Sequence, residues 1–266
     1  MISLGMLRDV WTYRDFVAGS IKREFLSRFT GTQLGFAWVI ASPLAMIAIY
    51  TVIFAEIMRP SMPGHASKFA YSIYLCAGLL TWSLFAEMLG RTVNIFIEHA
   101  NVLKKVSFPK LCLPIIVAVS SSVNFVILLA TFLIFLLIVG AAPGWSILAV
   151  LPVLLLQVAF TMGLGIFLAT VNVFYRDVNQ GVGVLMQFWF WLTPIVYVAD
   201  ALPASVRSAL EWNPLWPLMR AYQSIFLGQS GVDWAALAYP LILALALLWL
   251  GMLSFHKLQG EIVDEL

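Results

Sequence analysis

The chain has 266 residues, of which 62% are hydrophobic and 11% are charged. An ordinary soluble domain is about 25% charged, and so few charged side chains cannot cover the outside of a water-soluble protein. The composition therefore indicates an integral membrane protein, and the net charge of +2 gives no support to nucleic-acid binding.

The N-terminal region, residues 1–34, is predicted to be cytoplasmic and to contain an amphipathic helix over residues 13–29. Its apolar stripe recurs at every fourth position and consists of Val17, Ile21, Phe25 and Phe29. Lys22 and Arg23 lie off this stripe, and the pattern suits a helix at the membrane interface with its rings in the acyl boundary and its cations among anionic headgroups. A plain anchor is an equal alternative. The N-terminal segment mixes acidic and basic residues, which is unlike a cleavable secretory signal peptide, so the first span is expected to be retained.

Six apolar segments are long enough to cross a bilayer, which requires roughly 20 residues of helix. They are residues 35–58, 69–88, 111–140, 145–174, 181–199 and 234–255. The last four contain no ionisable residue. The assignment of the second segment as a span is weaker because Glu87 lies near its end. Arg91 follows four residues later, and an acidic residue before a basic one at this spacing stabilises a helix, so the segment is kept as a span. The transmembrane domain is thus predicted to cover residues 35–256, followed by a cytoplasmic tail over 257–266.

The distribution of lysine and arginine predicts the orientation of these spans. With six spans, eleven of the fifteen basic residues fall on the side of both termini and four fall on the other side. Because basic residues are retained in the cytoplasm, both termini are predicted to be cytoplasmic.

Two connections between spans are candidates for functional segments. Residues 91–110 form a basic cytoplasmic connection that is a candidate for gripping another subunit, with a simple positive-inside signal as the alternative. Residues 200–233 are too polar to span the membrane and are rich in proline and tryptophan, so they are predicted to lie outside, on the surface or re-entering the membrane.

The sequence contains few residue patterns that are typical of catalytic or metal-binding sites. Glu56, Glu87, His65, His99 and His256 fall in loops or near span ends, which is unlike a proton relay. No clustered nucleophile, base or metal ligands are found, and Cys76 and Cys112 have no CxxC partner. No Gly-Lys pair occurs, so the GxxxxGK[ST] phosphate loop is missing. Uphill transport would therefore need a separate ATP-hydrolysing subunit.

The fifth span contains a contiguous aromatic run, Phe188 to Trp191, flanked by Gln187 and Thr193. Aromatic faces with nearby hydrogen-bonding groups suit sugar rings, although four adjacent helical residues cannot all face one ligand.

Five motifs in order resemble the membrane subunit of bacterial ABC-type polysaccharide exporters, the family that exports O-antigen, capsule and teichoic acid. They are REFLSRFTGTQLGFAWVIASPLAMIAIYTVIF (residues 23–54), NVLKKVSFPKLCLPI (101–115), FYRDVNQ (174–180), TPIVY (193–197) and NPL (213–215). The resemblance covers nearly the whole chain.

This resemblance implies an all-α integral membrane protein of the bacterial inner membrane, with six transmembrane helices, an N-terminal amphipathic interface helix and a periplasmic re-entrant or surface helical segment. It implies a homodimer bound to two copies of an ATP-binding subunit, which hold ATP and magnesium, and export of a lipid-linked polysaccharide. This chain itself would hold no cofactor and no catalytic residue.

The resemblance also assigns residues to roles. The substrate path along spans one and five would include Phe36, Trp38, Tyr50, Gln187, Phe188, Trp189, Trp191 and Thr193. The site that couples to the ATPase subunit would include Asn101, Lys104, Lys105, Phe108 and Pro109. The interface helix would act through Arg23, Phe25, Arg28 and Phe29, and the external gate through Trp212, Asn213, Pro214 and Trp216. The rival functions are a permease for a small drug or lipid, a non-transporting scaffold and, less favoured, a membrane glycosyltransferase or acyltransferase.

Overall fold

A computed structural model of the chain describes residues 11–27, 35–54, 67–105, 108–199, 202–228 and 231–265, and these residues form helices and connections without a strand. The predicted all-α class is thereby confirmed for the described part. The helices are α1 (Arg14–Ser27), α2 (Gly35–Thr51), α3 (Ala70–Glu98), α4 (Ala100–Lys105), α5 (Cys112–Val139), α6 (Val150–Phe174, preceded by a 3-10 turn over Gly144–Ala149), α7 (Asp177–Trp191), α8 (Ala204–Leu210), α9 (Leu215–Phe226), α10 (Ala238–Leu258) and α11 (Glu261–Glu265).

Four helices of the described part, α3, α5, α6 with its preceding turn, and α10, are long and apolar enough to cross a membrane. They coincide with the second, third, fourth and sixth predicted spans, whose length and apolar composition they share. The first predicted span corresponds to α2, a 17-residue apolar helix with Pro43 inside it, and residues 55–58 of that prediction lie outside the described residues. The six-span count therefore stays a prediction.

Two predicted boundaries differ from the observed helices. α3 continues to Glu98, whereas the second span was predicted to end at residue 88, so the connection before α5 is shorter than the predicted 91–110. α7 ends at Trp191, and residues 192–199 are irregular, although a continuous helix was predicted over 181–199. The first difference arises because Glu87 and Arg91 are paired inside the protein instead of marking a helix end.

The core of the fold is the packing of α6 against α3 and α10. Small residues allow the backbones to approach closely: a Cβ atom added to Gly163 would lie 2.5 Å from the backbone nitrogen of Leu248, and one added to Gly251 would lie 2.7 Å from the Gly163 oxygen. A Cβ atom on Gly165 would likewise lie 2.8 Å from Thr92. In lipid, where helices gain little from hydrophobic burial against each other, such close contact is a main source of association energy.

The outside of this bundle is apolar, as a lipid environment requires. Ile138 on α5, Trp145 before α6 and Ile242 on α10 are each more than two-thirds exposed. Within the core, several buried threonine hydroxyl groups donate to a carbonyl of their own helix; Thr81, Thr161 and Thr170 each do so four residues back at 2.8–2.9 Å. This local bonding removes the cost of burying a polar group where water is absent.

Candidate translocation path and coupling site

One face of α7 has no covering element among the described residues. Val184, Leu185, Phe188, Trp191 and Leu192 are all at least 47% exposed and recur at intervals of three and four. Gln187 is also exposed, and a Cβ atom on Gly181 or Gly183 would meet nothing within 4 Å. α7 thus presents a broad apolar face, and the predicted path residues Gln187, Phe188 and Trp191 lie on or beside it.

The other two predicted path residues of this segment point into the protein. Trp189 is partly buried; its ring packs edge-on against Phe85 at 5.2 Å, and its indole nitrogen donates to Asn213 Oδ1 at 2.9 Å. Thr193 is buried and donates to the Trp189 oxygen at 2.8 Å. Both side chains therefore fix the geometry of α7 instead of lining its exposed face.

The irregular chain after α7 is held by side chains from distant elements. Tyr74 on α3 lies 3.0 Å from both the Pro194 and the Tyr197 oxygens, and Tyr71 donates to the Val196 oxygen. Gln223 on α9 donates to the Pro194 oxygen at 3.1 Å. Pro194 cannot supply a helical N–H, and the carbonyls that the broken helix leaves open are satisfied in this way.

The predicted gate segment contains α8 and α9. Asn213 connects it to α7, since it accepts from the Trp189 indole and the Leu215 N–H and donates to the Leu192 oxygen and Thr193 Oγ1 at 2.9–3.1 Å. The neighbouring residues of the predicted gate differ in exposure. Trp212 is 79% exposed, Trp216 is buried beside Ala199 and Leu210, and Pro214 directly precedes α9.

α9 itself lies inside the bundle. Tyr222 packs edge-on against Phe125 at 6.0 Å and Phe226 against Phe132 at 5.1 Å, and both partners belong to α5. Most residues of α9 are buried against α3 and α6. Whether this segment rests on the membrane surface or re-enters the membrane stays a prediction.

The predicted path residues of the first span are only partly described. Phe36 and Trp38 belong to α2, but their side chains lie outside the described residues. Tyr50 is partly buried and lines an apolar cavity of about 260 Å³ between α2, α3 and α5, together with Pro43 and Trp82.

The predicted coupling residues fall into two groups, one exposed on α4 and one partly buried in the connection that follows. Asn101, Lys104 and Lys105 on α4 are exposed, while Leu103 on the opposite side is buried. Phe108 packs against Phe16 of α1 at 5.2 Å, and Pro109 follows it half-buried. α4 also contacts α11, whose Ile262 is fully buried, so the C-terminal helix supports the patch from behind.

The N-terminal helix α1 packs on the protein as well as carrying cations. Val17 is buried against Cys112 and Ile116 of α5, with Ile21 alongside. Phe25 is partly buried and Arg23 is exposed, whereas Arg28 and Phe29 lie outside the described residues.

A polar cluster joins α1, α3 and α5. Arg91 lies 2.7 Å from Glu24 and 3.4 Å from Glu87, and each of these three side chains is less than a third exposed. Ser120 donates to Glu24 at 2.9 Å, and Asn124 donates to Glu87 at 2.6 Å. Sequence reasoning recognised the Glu87–Arg91 spacing but missed Glu24; the polar residues Ser120 and Asn124 inside an otherwise apolar span were the available signal.

These sites offer binding surfaces and not reactive groups. Among the described residues, no group of three or more His, Cys, Asp or Glu side chains is placed to hold a metal ion.

Comparison with known proteins gives a consistent result. The family model for the ABC-2 type transporter matches residues 17–227. The chain is 30% identical to the O-antigen export system permease protein RfbA of Myxococcus xanthus over 98% of this chain and 99% of the relative. It is 28% identical to RfbA of Klebsiella pneumoniae over the full length of both, and 22% identical to the polysialic acid transport protein KpsM of Escherichia coli over 90% of this chain and 91% of the relative.

Proposed function

Because the chain belongs to the ABC-2 type transporter family, we propose that it is the membrane-spanning permease subunit of an ABC transporter that exports a lipid-linked polysaccharide such as O-antigen. Relatives named as O-antigen export permeases align with it from end to end, which supports the same cargo class. ATP and magnesium would be bound by a separate subunit, in agreement with the missing phosphate loop.

The proposal places two copies of this chain and two ATP-binding subunits in one complex. The observation that carries it is the uncovered face of α7 around Leu185 and Phe188. A second copy facing this surface would enclose a pathway between two α7 helices, with α2 at its side. We further propose that the chain crosses the bacterial inner membrane six times and has both termini in the cytoplasm.

Along this pathway, Phe188, Trp191 and Gln187 would contact the glycan. Aromatic faces attract the C–H surfaces of sugars weakly, whichever sugar unit of the polymer faces the ring. An amide adds a hydrogen bond that is easily exchanged from one sugar to the next. A long polymer needs contacts of this kind, because a tight site at every sugar would stop its movement. Tyr50, Phe36 and Trp38 of α2 are proposed as further path residues, and Trp189 and Thr193 as the residues that orient α7.

The proposed ATPase contact is the exposed patch of Asn101, Lys104 and Lys105, with Phe108 and Pro109 as its base. The proposed gate is the segment with Trp212, Asn213, Pro214 and Trp216 on the external side.

Export is tested by measuring surface glycan in cells in which variants replace the native chain. Phe188→Ala combined with Trp191→Ala should lower export severalfold while the complex assembles normally. Trp145→Ala, which removes a ring that is 88% exposed just before α6 and outside the proposed path, is the matched control and should leave export unchanged. Equal export in both variants would contradict the proposed path.

Coupling is tested separately with the purified complex. Lys104→Glu combined with Lys105→Glu should abolish co-purification of the ATP-binding subunit or its glycan-stimulated ATP turnover. Normal complex yield together with normal turnover would refute the assignment of this patch.

A further inference from the structure

A cleft of about 350 Å³ separates α1 from α5 beside the polar cluster. Ala18, Ile21, Lys22 and Phe25 line it from α1, at the i, i+3, i+4, i+7 spacing of a single helix face. Ser120 and Val123 line it from α5, and Glu24 closes one end. The cleft thus has apolar walls, a cation and a polar end.

The cleft is lined by one carboxylate, Glu24, which is paired, and by one cation, Lys22, which is available to an anion. Glu24 is already occupied by Arg91 at 2.7 Å and by the Ser120 hydroxyl at 2.9 Å. Lys22 is exposed and forms no ion pair with any other residue that the structure describes. Its long stem allows the ammonium group to reach water or a headgroup while the methylenes stay on the apolar wall.

The cleft opens toward an apolar groove on the outer surface of α5. Val123 lines both, and the groove continues past Val119 and Val126 to Val158 of α6, with a volume of about 350 Å³. The three valines of α5 are 37–52% exposed. A mostly apolar cleft with one available cation therefore leads into a groove that matches a hydrocarbon chain.

The cleft lies near the N-terminal end of α5, the end that is predicted to face the cytoplasm. Ser120 lies eight residues into α5, about 12 Å from the helix start. α1 packs along the first turns of the same helix, with Val17 against Cys112 and Ile116 and Glu24 bonded to Ser120. Amphipathic helices at a membrane place their apolar face among the outer acyl carbons.

We infer that this cleft binds one phospholipid of the leaflet next to α1, with its phosphate on Lys22 and one acyl chain in the valine groove. The lipid would fill the space between α1 and α5 and hold α1 against the bundle. This inference goes beyond the transported glycan and requires neither ATP nor a sugar.

The test titrates dioleoylphosphatidylglycerol into the purified, detergent-solubilised complex and counts bound lipids by native mass spectrometry. Lys22→Ala should weaken the tightest lipid about fivefold, the effect of one basic residue at a lipid surface. Arg23→Ala is the matched control: as a cation of the interface helix Arg23 would attract headgroups in general, but it does not line the cleft and contacts Ser20 instead. It should change the affinity less than twofold.

Two further arms identify the ligand. Val123→Trp fills the groove without changing a charge and should also weaken binding, which keeps the test decisive if Lys22→Ala fails to fold. Dihexanoylphosphatidylglycerol and inorganic phosphate should compete poorly because they lack a long chain. Equal losses for Lys22→Ala and Arg23→Ala, or effective competition by inorganic phosphate, would overturn the inference. Neither outcome would bear on polysaccharide export.

Discussion

At the level of single residues, Arg91 is where three helices are tied together. It lies between Glu24 of α1 and Glu87 of its own helix, and the carboxylates also receive hydrogen bonds from Ser120 and Asn124 of α5. Because these groups are largely withdrawn from water, removal of one partner leaves charge without compensation, and this costs more than the loss of a surface pair.

We therefore predict that Glu24→Gln loosens α1. Backbone hydrogen exchange over residues 14–27 should become at least several times faster, while exchange in α6 stays the same. Asp15→Asn is the control, because the Arg14–Asp15 pair is 4.0 Å apart and exposed; it should have almost no effect. Equal exchange in Glu24→Gln and the native chain would show that the apolar contacts of Val17 hold α1 without the ion pair.

At the level of elements, the closest packing is between α6 and α10. The backbone of α10 lies where the side chain of any larger residue at position 163 would have to be. Overpacking of this kind typically costs 1–3 kcal/mol, and the obstruction is main chain, which cannot rotate away.

Gly163→Ala should accordingly lower the apparent melting temperature in detergent by several degrees, as measured by the loss of monodisperse protein after heating. Gly90→Ala is the matched control within a helix, because a Cβ atom there meets nothing within 4 Å and alanine is the better helix former. This variant should be as stable as the native chain or slightly more stable. A Gly163→Ala protein with an unchanged melting temperature would mean that the two helices separate at little cost.

The helix α3 connects the two ends of the molecule. Its N-terminal turns hold the irregular chain after α7 through Tyr71 and Tyr74, and its C-terminal end leads directly into α4. With 29 residues it is about 43 Å long. Movement of α4 by an ATPase subunit would be carried along one continuous helix to the chain that borders the proposed gate.

Tyr74→Phe tests this connection, since it removes only the hydroxyl that lies 3.0 Å from the Pro194 and Tyr197 oxygens. We expect surface glycan to fall while ATP turnover of the complex stays within about twofold of normal. Tyr175→Phe, at an exposed tyrosine between α6 and α7, should leave both unchanged. Parallel loss of export and ATP turnover would instead indicate a folding defect.

At the level of the whole molecule, the sequence predicted the parts that depend on hydropathy and missed those that depend on contacts distant in sequence. The run that became α5 was predicted at 111–140 and observed at Cys112–Val139, because apolar length alone decides whether a helix can span lipid. The family resemblance drawn from five motifs was also confirmed. The break after Trp191 was missed, since residues 192–199 are as apolar as a span and the side chains that hold them, such as Tyr74, lie about 120 residues away.

Within a single chain nothing that the structure describes covers the exposed face of α7. This face could contact lipid or a second copy of the chain, and crosslinking distinguishes the two. Leu185→Cys or Phe188→Cys should form a crosslinked dimer in membranes with a bismaleimide of suitable length if two α7 helices face one pathway. Cys76 and Cys112 are buried, so the native chain should give little background. Ile242→Cys on α10, which is 68% exposed, should react with a monofunctional maleimide but form no dimer. Dimer formation at Ile242→Cys and none at the α7 positions would assign the α7 face to lipid and move the subunit interface to α10.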